Sequence, residues 1–255
     1  MSLVSFPSWG ADFNKGLIAA HDGDFATALK EFKPLAEQGD VDAQFNLGWM
    51  YNQGLGVPQD YKEAVRWYRL AAEQGYAHAQ SNLGIMYENG DGVPQDNKEA
   101  VKWYRLAADQ GHANGQSNLG VMYRGGLGVP QDNEEAVRLF RLATKQQSAA
   151  GQSNLGWMYD NGLGVPQDFT EAVKWYRLAA EQGDAEAQYN LGKMYGNGTG
   201  VIQNFIYAHM WWNIAASNGV DNGNKNKVEE MMTTSDISEA QKFARECVKK
   251  NYKGC

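Results

Sequence analysis

One five-residue phrase, Gly-Val-Pro-Gln-Asp, recurs along the chain at intervals of 36 residues. The intact copies begin at Gly56, Gly92, Gly128 and Gly164, and a degenerate copy begins at Gly200. Self-similarity at a period of about 20 to 50 residues is typical of solenoids, in which each repeat buries its apolar face against its neighbours. The repeat therefore predicts a single array rather than several independent globular domains.

The phase of this repeat divides the chain into three parts. The central array occupies residues 41–220. Its five 36-residue units are 41–76, 77–112, 113–148, 149–184 and 185–220. Residues 1–40 contain a related helix pair with a shorter loop, and residues 221–255 predict two helices, around Lys225 to Met232 and from about Ile237 to Lys250. An end repeat would leave an apolar face in water, so we expect both outer segments to act as caps.

The sequence pattern predicts that each 36-residue repeat forms two helices joined by a glycine-rich loop. In the first unit we expect helices from about Val41 to Gln53 and from Tyr61 to Gln74, and apolar residues at three- and four-residue spacing give the second helix a buried face. Gly54 stands where a helix would end in a left-handed residue. Asp60 followed by Glu63 predicts a capping box at the start of the second helix. The pattern predicts an all-α fold.

A glycine lies inside the first helix of every unit at the same register. Each one costs roughly 1 kcal/mol of helix stability relative to alanine. A cost repeated in register indicates a close approach between neighbouring helices, where any side chain would clash. These glycines are Gly48, Gly84, Gly120, Gly156 and Gly192. The Gln44 and Asn46 series, which also do not vary, are interpreted as hydrogen-bonding groups between stacked units.

The repeated motif carries a family resemblance over residues 41–220. It runs Ala-x-Ala-Gln-x-x-Leu-Gly-x-Met-Tyr, then Gly-x-Gly-Val-Pro-Gln-Asp, then Glu-Ala-Val-x-Trp-Tyr-Arg-Leu-Ala-Ala-x-Gln-Gly. This pattern resembles the Sel-one-like repeat (SLR) family, and the N-terminal pair resembles the related tetratricopeptide repeat. The resemblance implies a right-handed α/α superhelical solenoid that acts as a protein-binding scaffold, commonly in bacteria. Some cysteine-rich relatives are penicillin-binding or weak β-lactamase proteins, but this chain lacks their disulfide pair in each repeat.

The charge balance argues against several classes of partner. The chain has 30 acidic and 23 basic residues and a net charge of -7, so its summed field opposes binding to nucleic acid or anionic lipid. It contains no run of about 18 apolar residues, the length that a membrane-spanning helix needs. We therefore expect a protein or peptide partner, with no nucleic acid and no membrane insertion.

The sequence contains no recognisable catalytic constellation. The four histidines, His21, His78, His112 and His209, do not recur in register. No His-Glu-x-x-His, paired Cys-x-x-Cys, Ser-x-x-Lys or Gly-x-Ser-x-Gly motif is present. We therefore predict a non-enzymatic protein with no catalytic residues, no metal site and no cofactor.

Variation among the five units indicates a candidate binding surface. Positions that change between copies are those that the shared architecture does not determine, and in the first helix they lie at offsets of four and seven, which places them on one face. In the resembled architecture the first helices line the concave surface, so these residues would form a groove. The candidate partner-binding residues are Phe45, Trp49, Asn52, Ile85, Glu88, Val121, Arg124, Trp157, Asp160, Tyr189 and Lys193.

Aromatic side chains bordered by charged ones suit the capture of a peptide or protein segment. The competing interpretation is that these positions vary because nothing constrains them, or that the aromatic residues are buried against a neighbouring helix. Two other functions remain open: a β-lactam-binding or weakly β-lactam-hydrolysing protein, and a self-assembling structural array. We expect a monomer or a weak homo-oligomer.

The two cysteines and the N-terminus bear on the compartment. Cys255 can fold back onto Cys247 only if the last helix ends near Asn251. No charged segment followed by a hydrophobic signal core is present, so Met1-Ser2-Leu3 would be a remnant in front of a chain whose secretory signal has been removed. If a signal has been removed in this way, the family resemblance implies a periplasmic or secreted protein, with the cytoplasm as the alternative.

Overall fold

The computed structural model describes residues 11–221 and 223–255, and within these residues the regular secondary structure is entirely α-helical. Met1-Ser2-Leu3 and the rest of residues 1–10 lie outside the described part. The chain divides into two compact units, each of which is larger than a 36-residue repeat. Among described residues, the first unit comprises residues 11–118 and Leu127–Val129, and the second comprises Leu119–Gly126 and Pro130–Cys255 apart from residue 222.

Consecutive helix pairs pack as solenoid repeats in both units. The helices of the first unit are α1 Phe13–His21, α2 Phe25–Glu37, α3 Val41–Gln53, α4 Tyr61–Glu73, α5 Ala77–Asn89 and α6 Asn97–Asp109. Helix α7, Ala113–Gly125, contributes residues to both units. The helices of the second unit are α8 Asn133–Thr144, α9 Ala149–Asn161, α10 Phe169–Ala180, α11 Ala185–Asn197, α12 Phe205–Ser217, α13 Asn224–Glu229 and α14 Thr234–Lys249.

Local capping chemistry explains where the repeat helices begin and end. Helix α3 ends at Gly54, which adopts the left-handed conformation with φ of 70°. The carboxylate of Asp60 accepts hydrogen bonds from the backbone N–H groups of Lys62 and Glu63 and so begins α4. The first helix matches its predicted bounds, and the second ends one residue earlier than predicted, at Glu73.

The predicted capping box is only half formed at these positions. The Asp60 backbone N–H, which the Glu63 carboxylate would need to reach, donates to the carbonyl of Tyr51 in the preceding helix. Glu63 instead pairs with Arg66 at 3.1 Å. The same carbonyl contact and the same i, i+3 ion pair recur in the next three repeats. The helix-to-loop hydrogen bond therefore displaces the second half of the box.

The glycines inside the first helices lie under an aromatic ring, as close approach predicts. A Cβ atom on Gly84 would stand 2.5 Å from the Tyr104 ring, and one on Gly48 would stand 2.7 Å from the Tyr68 ring. The ring belongs to the second helix of the same repeat in every case, so the glycine accommodates intra-repeat packing. Because the ring is part of the buried core, alanine would force it to move.

The invariant glutamines connect neighbouring repeats. Gln44 donates from Nε2 to the carbonyl of Ala36 on α2, and its Oε1 accepts from Nε2 of Gln74 at the end of α4. The bond to the preceding repeat recurs from Gln80 to Ala72, from Gln116 to Ala108 and from Gln188 to Ala180. The bond within the repeat recurs as Gln80 with Gln110, Gln152 with Gln182, and Gln188 with Asn218. This arrangement confirms the predicted inter-repeat hydrogen bonds for the glutamine series and satisfies amide groups that burial would otherwise leave unpaired.

The C-terminal cap differs from its predicted bounds. Helix α14 begins at Thr234 instead of Ile237, because Thr233 and Asp236 form a complete capping box. The helix ends at Lys249, after which Asn251 and Tyr252 adopt positive φ angles and reverse the chain. This reversal brings Cys255 back to Cys247, and the two form a disulfide.

No described helix is both long and apolar enough to cross a membrane.

Candidate functional site

The eleven residues of the predicted binding surface are partly accessible in both units. In the first unit Ile85 is exposed, and Phe45, Trp49, Asn52 and Glu88 are half-buried. In the second unit Lys193 is exposed, and the half-buried residues are Val121, Arg124, Trp157, Asp160 and Tyr189. Side chains of this kind present a contact surface while their inner edges are held by the core.

The two tryptophans of this surface are anchored in the hydrophobic core. Trp49 packs against the cluster that contains Phe32 and against the one that contains Tyr68. Trp157 likewise packs against two buried clusters, one of which includes Phe140. Both tryptophans therefore contribute to stability, as burial against a neighbouring helix predicts, while part of each side chain stays accessible.

Four rings meet at one end of this surface in the first unit. The Phe45 ring lies 5.2 Å from that of Tyr76 and 6.0 Å from that of His78, centroid to centroid. The His78 and His112 rings meet edge to face at 4.4 Å. Burial, and after it a hydrogen bond with Asp42, raises the pKa of Tyr76, so its phenol is neutral at pH 7.

His112 also begins helix α7. Its Nδ1 accepts a hydrogen bond from the backbone N–H of Gly115 at 3.2 Å, and its carbonyl accepts from that of Gln116. An acceptor Nδ1 requires the neutral imidazole, since the protonated ring has only donors. Burial, and after it the neighbouring His78, lowers the pKa of His112 and favours this neutral form.

Glu88 also belongs to the first-unit surface. Its Oε2 accepts a hydrogen bond of 2.5 Å from the hydroxyl of Tyr104, which is fully buried. Burial, followed by the hydrogen bond and the charge of Glu88, raises the pKa of Tyr104. The phenol therefore keeps its proton and holds the carboxylate in place.

The second unit places a cation at the corresponding register. One guanidinium nitrogen of Arg124 donates to Oδ1 of Asn154 at 2.7 Å. The guanidinium carbon lies 4.7 Å from the centroid of the Trp157 ring, a cation–π contact. Burial is the main cause that lowers the pKa of Arg124. The guanidinium is thus partly desolvated and held by an amide and an aromatic ring.

Asp160 and Lys193 form a separate ion pair in this unit. Their Oδ2 and Nζ atoms are 3.5 Å apart, and the Asp160 side chain is only 10% exposed. The buried Tyr176 has its pKa raised by burial first and by the charge of Asp160 second. Its hydroxyl has no hydrogen-bond partner within the described part of the chain.

Arg124 and Trp157 line a cavity of about 430 Å³ in the second unit. The remaining lining residues are Ala150, Ser153, Asn154, Asp184, Glu186 and Asn190. The sequence prediction missed Glu186 and treated Asn154 and Asn190 as structural. The missed signal lies three residues before the first variable position, where the series Asp42, His78, Asn114, Ala150 and Glu186 also varies.

Tyr189 is less available than the sequence prediction assumed. Its hydroxyl accepts a hydrogen bond from Nδ2 of Asn224 in α13, and its carbonyl accepts from the Trp212 indole. It does not line the cavity that contains Arg124. A residue of the C-terminal cap therefore already contacts Tyr189.

No three His, Cys, Asp or Glu side chains among the described residues are placed to hold a metal ion. The buried His209 pairs with Glu229 at 2.7 Å between Nε2 and Oε1. This contact joins α12 to α13 in the cap, so His209 packs between helices.

The repeat geometry agrees with a comparison against known protein families. The Sel1 repeat model matches residues 41–76, 77–112, 113–148, 149–184 and 185–220. The chain belongs to the Sel1 repeat family. Sel1 repeat proteins are generally protein-interaction scaffolds, and no catalytic family is identified for this chain. No curated protein matches the sequence.

Solved structures of Sel1 repeat proteins are similar to this one. A Sel1 repeat protein from Oxalobacter formigenes is 32% identical with a TM-score of 0.76, over 90% of this chain and 94% of that chain. The protective antigen c5321 of uropathogenic Escherichia coli, which has an SLR fold, is 32% identical with a TM-score of 0.70, over 95% of this chain and 57% of that chain. The immunity protein Pa5087 of Pseudomonas aeruginosa shares the fold at 20% identity with a TM-score of 0.52, over 83% of this chain and 80% of that chain.

Proposed function

We propose that this Sel1 repeat protein is a non-enzymatic scaffold that binds a peptide or protein segment on the faces of its first helices. The observation that carries the proposal is the division between constant and variable positions. The constant glycines and glutamines build the frame, whereas the variable positions present half-buried aromatic and charged side chains. Anchored, partly accessible aromatic residues are the kind that dominate binding energy at interfaces.

The second helices present a different surface. Their basic residues are largely exposed and pair with glutamates one turn away, as Arg66 does with Glu63 and Lys174 with Glu171. Exposed ion pairs of this type contribute little and are typical of solvated faces. The contrast favours the first-helix faces as the binding surface.

Site-specific photocrosslinking in cells of the source organism tests this proposal. A benzophenone amino acid replaces Ile85 on α5 or, as the matched control, Leu106 on α6; the native side chains are 38% and 41% exposed. In the second unit Lys193 is compared with Lys174, whose side chains are 46% and 58% exposed. We expect adducts with another protein from Ile85 and Lys193 only. Adducts from the second-helix positions alone, or from no position, would contradict the proposal.

We also propose that the protein works in the periplasm or as a secreted protein. The disulfide between Cys247 and Cys255 supports this compartment, because disulfides persist in oxidising environments. The disulfide joins Cys255 to Cys247 on α14. Its reduction would therefore loosen the C-terminal cap, whereas the repeats contain no disulfide that could be lost.

A further inference from the structure

We propose that the cavity beside Arg124 is a subsite for a dipolar peptide, in which Arg124 binds a carboxylate of the segment and Glu186 faces a basic residue. This inference rests on the proposed function and names the chemistry of the partner at one part of the surface. It is carried by the state of the arginine, the contacts that hold it, and the charges of the cavity wall.

The guanidinium of Arg124 is half-buried, yet it forms no ion pair with any carboxylate in the described part of the chain. Its direct partners are neutral: the amide oxygen of Asn154 and the ring of Trp157. Asp160, the acidic residue on the same surface, pairs with Lys193 instead. A partly desolvated guanidinium that keeps N–H donors beside a cavity is suited to bind an anionic group of a ligand.

The arginine is also held in position before any ligand binds. Asn154 donates from Nδ2 to the carbonyl of Ala150 one turn earlier, which orients its Oδ1 toward Arg124. Trp157 supports the plane of the guanidinium. A guanidinium has five N–H donors, and the contact with Asn154 uses one nitrogen, so the group retains donors for a carboxylate. Preorganisation of this kind lowers the entropy cost of binding.

The charges of the cavity wall disfavour a purely anionic ligand. Asp184 and Glu186 also line the cavity, so its formal charge with Arg124 is negative. Asp184 accepts a hydrogen bond from the backbone N–H of Ala187 and begins α11. Glu186 is exposed and has no ion pair among the residues described, which leaves its carboxylate for a lysine or arginine of the segment. Opposite charges on one short segment match this wall.

Only one repeat carries this subsite. The residues at the register of Arg124 in the other repeats are Asn52, Glu88, Asp160 and Gly196. A segment bound along the first helices would therefore meet a cation at this position in a single repeat. The subsite would set the register of the segment, as charged positions do in other peptide-binding surfaces.

Arginine-detected NMR on the full chain tests the proposal. The Nε–Hε signal of Arg124, assigned by its loss in Arg124→Gln, is followed during titration with acetyl-Ala-Glu-Ala-Lys-Ala-amide. Three matched probes replace Glu by Gln, replace Lys by Gln, or replace Glu by Gln and leave the C-terminal carboxylate free. We expect saturable shifts with the Glu–Lys peptide and at least about fivefold weaker binding when Glu becomes Gln or Lys becomes Gln. If the Gln peptide with the free C-terminal carboxylate binds more tightly than the Glu–Lys peptide, the C-terminus is the source of the carboxylate that Arg124 binds.

Variants separate the subsite from general effects. Isothermal titration calorimetry, which does not depend on the Arg124 signal, compares the variants: Arg124→Gln should abolish the preference for carboxylate, Glu186→Gln should abolish the preference for lysine, and Arg245→Gln, an exposed control on α14, should change neither. Circular dichroism confirms that each variant is folded. Equal binding of all four probes, or no saturable shift with any, would overturn this inference. Crosslinking from Ile85 and Lys193 could still succeed in that case, so the proposed function and this subsite fail independently.

Discussion

Contacts between aromatic rings organise the first-helix face of the first unit, whereas contacts of charged side chains organise that of the second unit. In the first unit the rings of Phe45, Tyr76, His78 and His112 form a continuous chain of contacts. In the second unit the face is organised around Arg124 and the ion pair of Asp160 with Lys193. The frame beneath is the same in both, with a glycine under an aromatic ring in each repeat. The difference teaches that the Sel1 frame leaves surface chemistry to a few variable positions.

The comparison extends into the buried aromatic residue beneath each face. Tyr104 holds Glu88 by a hydrogen bond, whereas Tyr176 has an unpartnered hydroxyl near Asp160. The third repeat has Phe140 at this position and Arg124 above it in register. The same buried position thus lies beneath a different surface residue in each of these three repeats. Among the described residues, a hydroxyl at this position has a hydrogen-bond partner in only some of them.

The largest expected effect concerns the two anchored tryptophans. Trp49→Ala and Trp157→Ala should each lower the free energy of unfolding by about 2–3 kcal/mol, somewhat less than for a fully buried tryptophan, because each is packed against two core clusters but remains half-exposed. Urea denaturation followed by circular dichroism measures this loss. Ile85→Ala, at an exposed position, should cost less than about 1 kcal/mol. A tryptophan variant as stable as the parent would make that tryptophan a surface residue alone.

A smaller effect distinguishes the two tyrosines. Tyr104→Phe should lower the free energy of unfolding by about 1 kcal/mol, because it removes a hydrogen bond to a carboxylate. Tyr176→Phe should be neutral or slightly stabilising, since it removes a buried hydroxyl that has no partner in the described structure. Phe140 shows that the repeat accepts phenylalanine here. Equal losses in the two variants would remove this difference between the units.

The smallest effect is a pH dependence confined to the first unit. The pKa of His112 is lowered in the folded state, so protons bind the unfolded state more tightly. The stabilising contribution is complete above the unfolded pKa of about 6.5 and is lost as the pH falls through the lowered folded value. Protonation also removes the cap on α7, worth about 1 kcal/mol at most. Thermal melts between pH 7 and 5 should show a decline that His112→Asn suppresses, because asparagine caps without titrating.

The N-cap residue of helix α9 in the second unit supplies the control for this pH effect. Ser148 begins α9 by accepting from the backbone N–H of Gly151, and a serine does not titrate in this range. Ser148→Asn should leave the pH profile unchanged. If His112→Asn also left it unchanged, the decline would belong to other groups and the unit-specific assignment would be wrong.

The helices were predictable because their signals are local. Gly54 and Asp60 mark the end of α3 and the start of α4 through backbone conformation and a side chain two or three residues from its partner. The candidate surface was predictable in part, since variation among repeats identified Arg124 and Trp157. The competition at Asp60 was not predictable, because the carbonyl of Tyr51 belongs to the preceding helix and reaches the same N–H across the loop.

The sequence by itself determined the repeat period, the bounds of the repeat helices to within about one residue, the family and the register of the variable face, because each depends on short-range chemistry copied every 36 residues. Only the tertiary structure decided what the variable residues contact. Arg124 and Trp157 are 33 positions apart in the chain, and the cation–π contact between them exists because successive first helices place their side chains together. Burial then determined which groups keep or lose their charge, since desolvation depends on surroundings that no single repeat contains.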